Sequence, residues 1–373
     1  MNKRLILYFG LVLSFLMVNL LYFFYLRSQI EEIYIGRSNT WFSQLIETVY
    51  PRFEVEKKRF DLDFFKYKAD QVVIRFNVIV SVIIGLFLLA KRSKKLDQFW
   101  QGFIARQHAD ILIIIFYCGV LFYCHQWWMD IDVFINRSVF YKPILLFSIL
   151  HISFPPEWIL QVAYVMIIFA SLMIIFNIKP FPFSVLGTIA FIFFQGFYYS
   201  FEKIDHLYTT LTYVMLVMPF LVLERNRGKE YIGKWPVTLI QLCIALAYLF
   251  SGLEKLFTSG FGWASKETFR HYIYLHQAPI GLTIAESDFL SSLLPKLALL
   301  FQLSFFLILF LHRRRWIFLV PGILFHMGTV FLLNIGAIFT PWIFVYIFFV
   351  DWGILQTKFK KIYSGSIFSE RHQ

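Results

Sequence analysis

Apolar residues fall into ten long runs along this chain, separated by mostly short polar stretches. The first lies within Met1 to Leu26, where Lys3 and Arg4 precede about twenty apolar residues. The others fall at about 71–90, 109–127, 158–178, 183–200, 207–223, 236–257, 292–311, 316–333 and 338–353. A helix rises 1.5 Å per residue, so about 20 apolar residues cover the roughly 30 Å hydrocarbon core of a bilayer. The pattern predicts an all-α, polytopic transmembrane helix bundle of about ten spans. The stretch Met1 to Leu26 has no small-residue cleavage site and reads as an anchor rather than a signal peptide. Residues 1–104 form a two-span N-terminal extension whose mixed-charge loop, 27–70, is extracytoplasmic. Residues 105–355 form the main bundle and 356–373 a cytoplasmic tail. The segment 27–70, with Glu54-Val55-Glu56-Lys57-Lys58-Arg59-Phe60-Asp61 at its centre, reads as a soluble loop or short helices, and its charges as a solvated face.

Composition agrees with the pattern. Of 373 residues, 59% are hydrophobic and 16% charged, against about 45 to 50% apolar in a soluble domain. The chain is therefore read as an integral, multi-pass protein of a cell membrane, the inner membrane in a bacterium, and the lipid bilayer is its first partner. The net charge of +12 signals orientation rather than nucleic acid, because the basic residues gather in short loops. With the amino terminus inside, Lys and Arg number 19 in the cytoplasmic segments against 5 in the short loops opposite, which puts both termini in the cytoplasm. Trp127, Trp128, Trp158, Trp235, Trp316 and Trp342 lie at or near span ends, as in an aromatic belt. The three cysteines, Cys118, Cys124 and Cys243, show neither a paired framework nor a metal spacing.

Candidate chemistry concentrates around Lys255. A charge at the bilayer centre costs roughly 3 kcal/mol on insertion scales, so ionisable groups at the end of an apolar helix mark a functional site. Stepping back from Lys255 by four, seven and fourteen residues reaches Ser251, Tyr248 and Gln241, a polar stripe suited to facing other helices. Its neighbour Glu254 is turned by about 100° and is expected to point elsewhere. Glu202, Lys203, Asp205 and His206 form the turn before the sixth span, and His326 lies mid-helix in the ninth with Gly322 and Thr329 on its face. His271 and His276 are five apart with no acidic third ligand, which predicts no metal site. A nucleophile elbow, a phosphate-cradling Gly loop and a dinucleotide fingerprint are absent.

The segment Gly252-Leu253-Glu254-Lys255-Leu256 followed by Trp263 resembles the horizontally transferred transmembrane domain, the membrane part of vitamin K-dependent gamma-carboxylase and its bacterial relatives. Lys203-Ile204-Asp205-His206-Leu207-Tyr208 is similar to that family's Asn-His turn, and the resemblance covers roughly Ala105 to Trp352. It implies that Lys255 is a catalytic base and His206 its catalytic partner, and that the cofactor is a quinone such as reduced vitamin K. Lys203, Asp205, Tyr248, Glu254, Trp263 and His326 then line the substrate site. Glu254 stands where the carboxylase has Lys, Asp205 where it has Asn, and Lys266 where it has Gly. Two readings follow. One is a membrane-embedded enzyme acting on a quinone-like, lipid or peptide substrate from the extracytoplasmic side; the other is a non-catalytic carrier or partner subunit whose polar faces only pack helices.

Overall fold

The apolar runs fold mainly as helices in the computed structural model, which describes residues 3–37, 41–50, 53–92, 102–125, 127–201, 207–311, 314–336 and 339–352. Seven helical stretches among them are long and apolar enough to cross a membrane: Val12–Tyr34, Arg106–Cys124, Glu157–Ile175, Pro180–Tyr199, Trp235–Ala264, Asp288–Leu309 and Trp316–Leu333. Many of their large apolar side chains face outward, Ile189 and Leu324 at 61% and 62% exposure. Exposed apolar surface on that scale fits lipid rather than water. The chain is an integral membrane protein built as an all-α helical bundle.

In chain order the first helices are α1 (Lys3–Leu21), a π-helical turn (Tyr22–Leu26), α2 (Arg27–Tyr34), α3 (Trp41–Val49), α4 (Phe53–Glu56) and α5 (Leu62–Arg92). Strand β1 (Phe103–Ala105) leads into α6 (Arg106–Cys124), α7 (Trp127–Ile135), α8 (Leu145–Ile149), α9 (Glu157–Ile175), α10 (Pro180–Tyr199) and α11 (Thr209–Asn226). Strand β2 (Tyr231–Gly233) precedes α12 (Trp235–Ser259), α13 (Lys266–His276), α14 (Pro279–Glu286), α15 (Asp288–Ser304), α16 (Trp316–Leu333) and α17 (Pro341–Phe344). These fall into two compact units, one of residues 1–98 with 142–153 and one of 99–141 with 154–373.

In the first unit the expected loop 27–70 is largely helix. Chain continuity is kept from α1 through the π-helical turn to Tyr34, and α5 already begins at Leu62. The charges that read as a solvated face partly hold the two rods together. Arg27 pairs with Asp70 at 3.1 Å, Lys66 with Glu31 at 2.9 Å, and the Tyr22 hydroxyl donates to Asp70 at 2.6 Å. Deeper along the same rods Asn19 and Asn77 exchange amide hydrogen bonds of 2.9 and 2.7 Å. Ile30, Ile33, Phe53 and Phe65 close a small core under the short helices.

In the second unit α9 and α10 form an antiparallel pair. Its turn places Asn177 and Lys179 at φ of 58° and 41° before Pro180 opens the next helix. Gly187 meets Ala170 there so closely that an added Cβ would sit 3.0 Å away. Helix α11 ends in polar residues that are tied down: Arg225 reaches Asp110 at 2.5 Å and Asn177 at 2.6 Å, while buried Glu224 accepts from Arg227 at 2.7 Å and from Trp235 Nε1 at 3.1 Å. Strands β1 and β2 pair antiparallel, Phe103 opposite Gly233, and so bring the starts of α6 and α12 side by side.

The last apolar run departs from a regular span. Over 339–351 the described chain forms α17 and a 3₁₀ segment, Val345–Phe349. Its end carbonyls are taken by side chains: Gln241 Nε2 donates to Phe348 O at 2.6 Å, Arg315 Nη1 to Phe349 O at 3.0 Å and the run's own Trp352 Nε1 to Ile347 O at 3.0 Å. Those partners satisfy polar groups that a continuing α-helix would pair within itself.

Candidate functional site

Helix α12 carries the polar stripe. Gln241 and Tyr248 are buried at 2% exposure each, and Ser251 and Lys255 are half-buried further along. Two groupings form along it.

The deeper one centres on Tyr248. Its hydroxyl lies 2.6 Å from His326 Nε2 and 2.7 Å from the Tyr346 hydroxyl, so α12, α16 and the 3₁₀ segment meet at one oxygen. The Trp342 ring stacks on His326 at 5.8 Å, and Thr329 Oγ1 donates to the His326 carbonyl at 2.8 Å. Gly322, one turn before His326, has no Cβ because the Tyr346 hydroxyl occupies that space. A hydroxyl both donates and accepts, so Tyr248 can serve the two partners at once and leave neither buried group unmatched. This trio is a closed polar clasp between helices.

The outer grouping centres on Lys255. Nζ donates to Ser251 Oγ at 2.8 Å and to the Ser251 carbonyl at 3.3 Å, one turn back on the same helix. The Trp263 ring covers it, with Nζ 5.0 Å from the ring centroid, a cation–π distance for the ammonium form. That placement depends on where α12 stops. Gly260 takes φ 58° and ψ −151°, a conformation essentially reserved for glycine, and the following 3₁₀ turn, Gly260–Ala264, doubles the chain back over the helix end. On the other side Gly252 allows α15 to approach, with Gln302 Cβ 3.2 Å from where its Cβ would be. Gln302 is 5% exposed and its Oε1 has no partner among the described residues.

The structure thus joins Tyr248 to His326 and Lys255 to Trp263. Glu254 is exposed and lies on the next helical position. Lys203, Asp205 and His206 lie outside the described residues, as does Glu202. Their flanks are in place: Trp127 stacks on Phe194 at 4.8 Å and meets Tyr208 edge-on at 5.5 Å. Tyr346 was not legible beforehand. It sits in an unbroken apolar run, and the one sign was a second aromatic with a polar tip four residues after Trp342. A cavity of about 510 Å³ lies elsewhere, lined by residues including Glu224, Arg227, Tyr231 and Trp235.

No protein-family model, no curated protein and no solved structure matches the chain. Its function is therefore argued from the site.

Proposed function

We propose that the chain is a membrane-embedded enzyme related to the horizontally transferred transmembrane domain, in which Lys255 is the general base acting on a quinone-like, lipid or peptide substrate. The observation that carries this reading is the setting of Lys255: a half-buried amine held by Ser251 under the Trp263 ring at the end of an apolar helix. A neutral Lys amine has one lone pair and can take a proton from a substrate hydroxyl or an acidic C–H. Ser251 fixes the Nζ position, and Trp263 shields it from water. Gln302 brings a polar group with unused acceptor capacity close to the same turn. His206 is the proposed second catalytic group, with Lys203 and Asp205 beside it. A quinone such as reduced vitamin K is the proposed cofactor. The reading includes ten spans, both termini in the cytoplasm and a site opening on the extracytoplasmic side.

Consumption of a reduced naphthoquinone by the purified protein in nanodiscs tests it, together with mass spectrometry of co-purified lipids. Lys255→Met is expected to lower turnover by at least about a hundredfold, within the range for loss of a general base, with folding retained. A Lys255→Met protein that turns over as wild type would sink the assignment. So would one that fails to fold, because Lys255 would then be structural.

The Tyr248–His326–Tyr346 clasp favours a second reading, a carrier or partner subunit. All three groups have partners within the bundle, as expected of polar residues that only hold helices together. Wild-type protein inactive on every quinone and lipid offered, with Lys255→Met as stable as wild type, would fit that reading.

A further inference from the structure

At the other end of α12, about 31 Å from Lys255 at 1.5 Å per residue, three helix starts carry basic side chains. Lys234 immediately precedes α12, Arg315 immediately precedes α16, and His108 is the third residue of α6. The backbone holds these starts together. Strand pairing sets Phe103 opposite Gly233, and Lys234 N donates to Gly102 O at 2.8 Å. Arg315 is drawn to the same end by Nη1 bonding to Phe349 O at 3.0 Å, with its guanidinium 5.8 Å from the Phe349 ring centroid. The adjacent Phe348 packs on Phe116 of α6 and is bonded by Gln241 of α12.

Three basic side chains therefore meet at this end. A helix N-terminus carries about half a positive charge, so Lys234 and Arg315 sit where a cation is least favoured. Burial lowers the pKa of both, Arg315 adds to the lowering at Lys234, and Asp351 opposes it at each. Asp351 is itself exposed. With Nη1 on a carbonyl, Arg315 keeps its Nε–Nη2 edge. Both atoms are buried and without a partner among the described residues, and so is His108 Nε2. That edge is the fork that binds two oxygens of one oxyanion.

We propose that His108, Lys234 and Arg315 form an anion site for a phosphate group, carried by a lipid headgroup or by a free phosphate. The Arg315 edge takes two phosphate oxygens; Lys234 supplies a point charge and His108 one further hydrogen bond. Tetrahedral phosphate has enough oxygens for all three, and the helix N-termini favour its charge. The site is separate from Lys255 and does not depend on the proposed reaction.

Thermal unfolding of the full chain in a neutral maltoside detergent tests this in two arms. One titrates inorganic phosphate against chloride at matched ionic strength. The other titrates short-chain phosphatidic acid against the matching diacylglycerol. A saturable rise in Tm in either arm is expected, because a ligand that binds only the folded state stabilises it. A response in both arms identifies free phosphate as sufficient, and a response to phosphatidic acid alone identifies the lipid headgroup. Arg315→Gln should weaken the response at least tenfold, read against the variant's own ligand-free Tm because it also loses the bond to Phe349 O. Lys234→Gln provides the same readout if Arg315→Gln does not fold. No saturable shift in either arm, or a variant that responds as wild type does, overturns the proposal.

Discussion

Tyr248 is the residue whose loss should be felt most widely. Its hydroxyl links His326 and Tyr346, at 2.6 and 2.7 Å, and a buried polar group stripped of its partner costs about 1–3 kcal/mol. Tyr248→Phe is expected to lower stability by roughly that amount, read as reduced Tm or unfolding at lower denaturant. A Tyr248→Phe protein of unchanged stability would mean that the clasp carries no weight. Gly322→Ala pushes a methyl group into the Tyr346 hydroxyl and should cost about 1–3 kcal/mol as overpacking. Lys255→Met should stay close to wild-type stability, so the two ends of one stripe separate by assay. The stripe itself could be read beforehand, because Gln241, Tyr248, Ser251 and Lys255 keep helical spacing within apolar sequence. The Tyr248 partner on the last segment could not, since that contact joins residues 98 positions apart and leaves no local periodicity.

At the scale of elements, α1 and α5 show charged sequence doing what apolar sequence usually does. Arg27 and Glu31 interrupt the hydropathy of the first run, so its end reads as Leu26; the helix nevertheless continues to Tyr34. Their partners, Asp70 and Lys66, are 43 and 35 residues away, a distance at which no sequence window reports pairing. The reciprocal amide pair of Asn19 and Asn77 gives a sharper test. Asn19→Leu leaves one amide facing an apolar side chain and should cost about 1 kcal/mol, whereas Asn19→Leu with Asn77→Leu should recover most of it, because replacing both partners is close to neutral. Equal losses in the single and double variants would show that the amides do not interact. The π-helical turn Tyr22–Leu26 lies between the Asn19 and Arg27 contacts.

For the whole molecule, the membrane class was plain from composition and run length, and the number of regular spans was not. Seven described stretches qualify by length and composition. The run at 207–223 gains polar Glu224 and Arg225 within its helix, and the described part of 338–353 is divided between α17, which Pro341 opens, and a 3₁₀ segment. Orientation rests on the charge asymmetry of the short loops. Cysteine introduced at Asn226 and at Ser265 in a background lacking the native cysteines, probed on intact cells with an impermeant thiol reagent, is expected to label at Ser265 and not at Asn226; the reverse pattern would invert the topology. The division into units bears on how the chain can be taken apart. The first unit owns 1–98 and also 142–153, so the backbone passes between the units three times. An appendage joined by a single strand can be removed with one break, and its absence leaves the remainder whole. Here a truncation starting at residue 99 would carry 142–153 without the rest of their unit, and the missing piece could be resupplied only as a second polypeptide, made in the same cell.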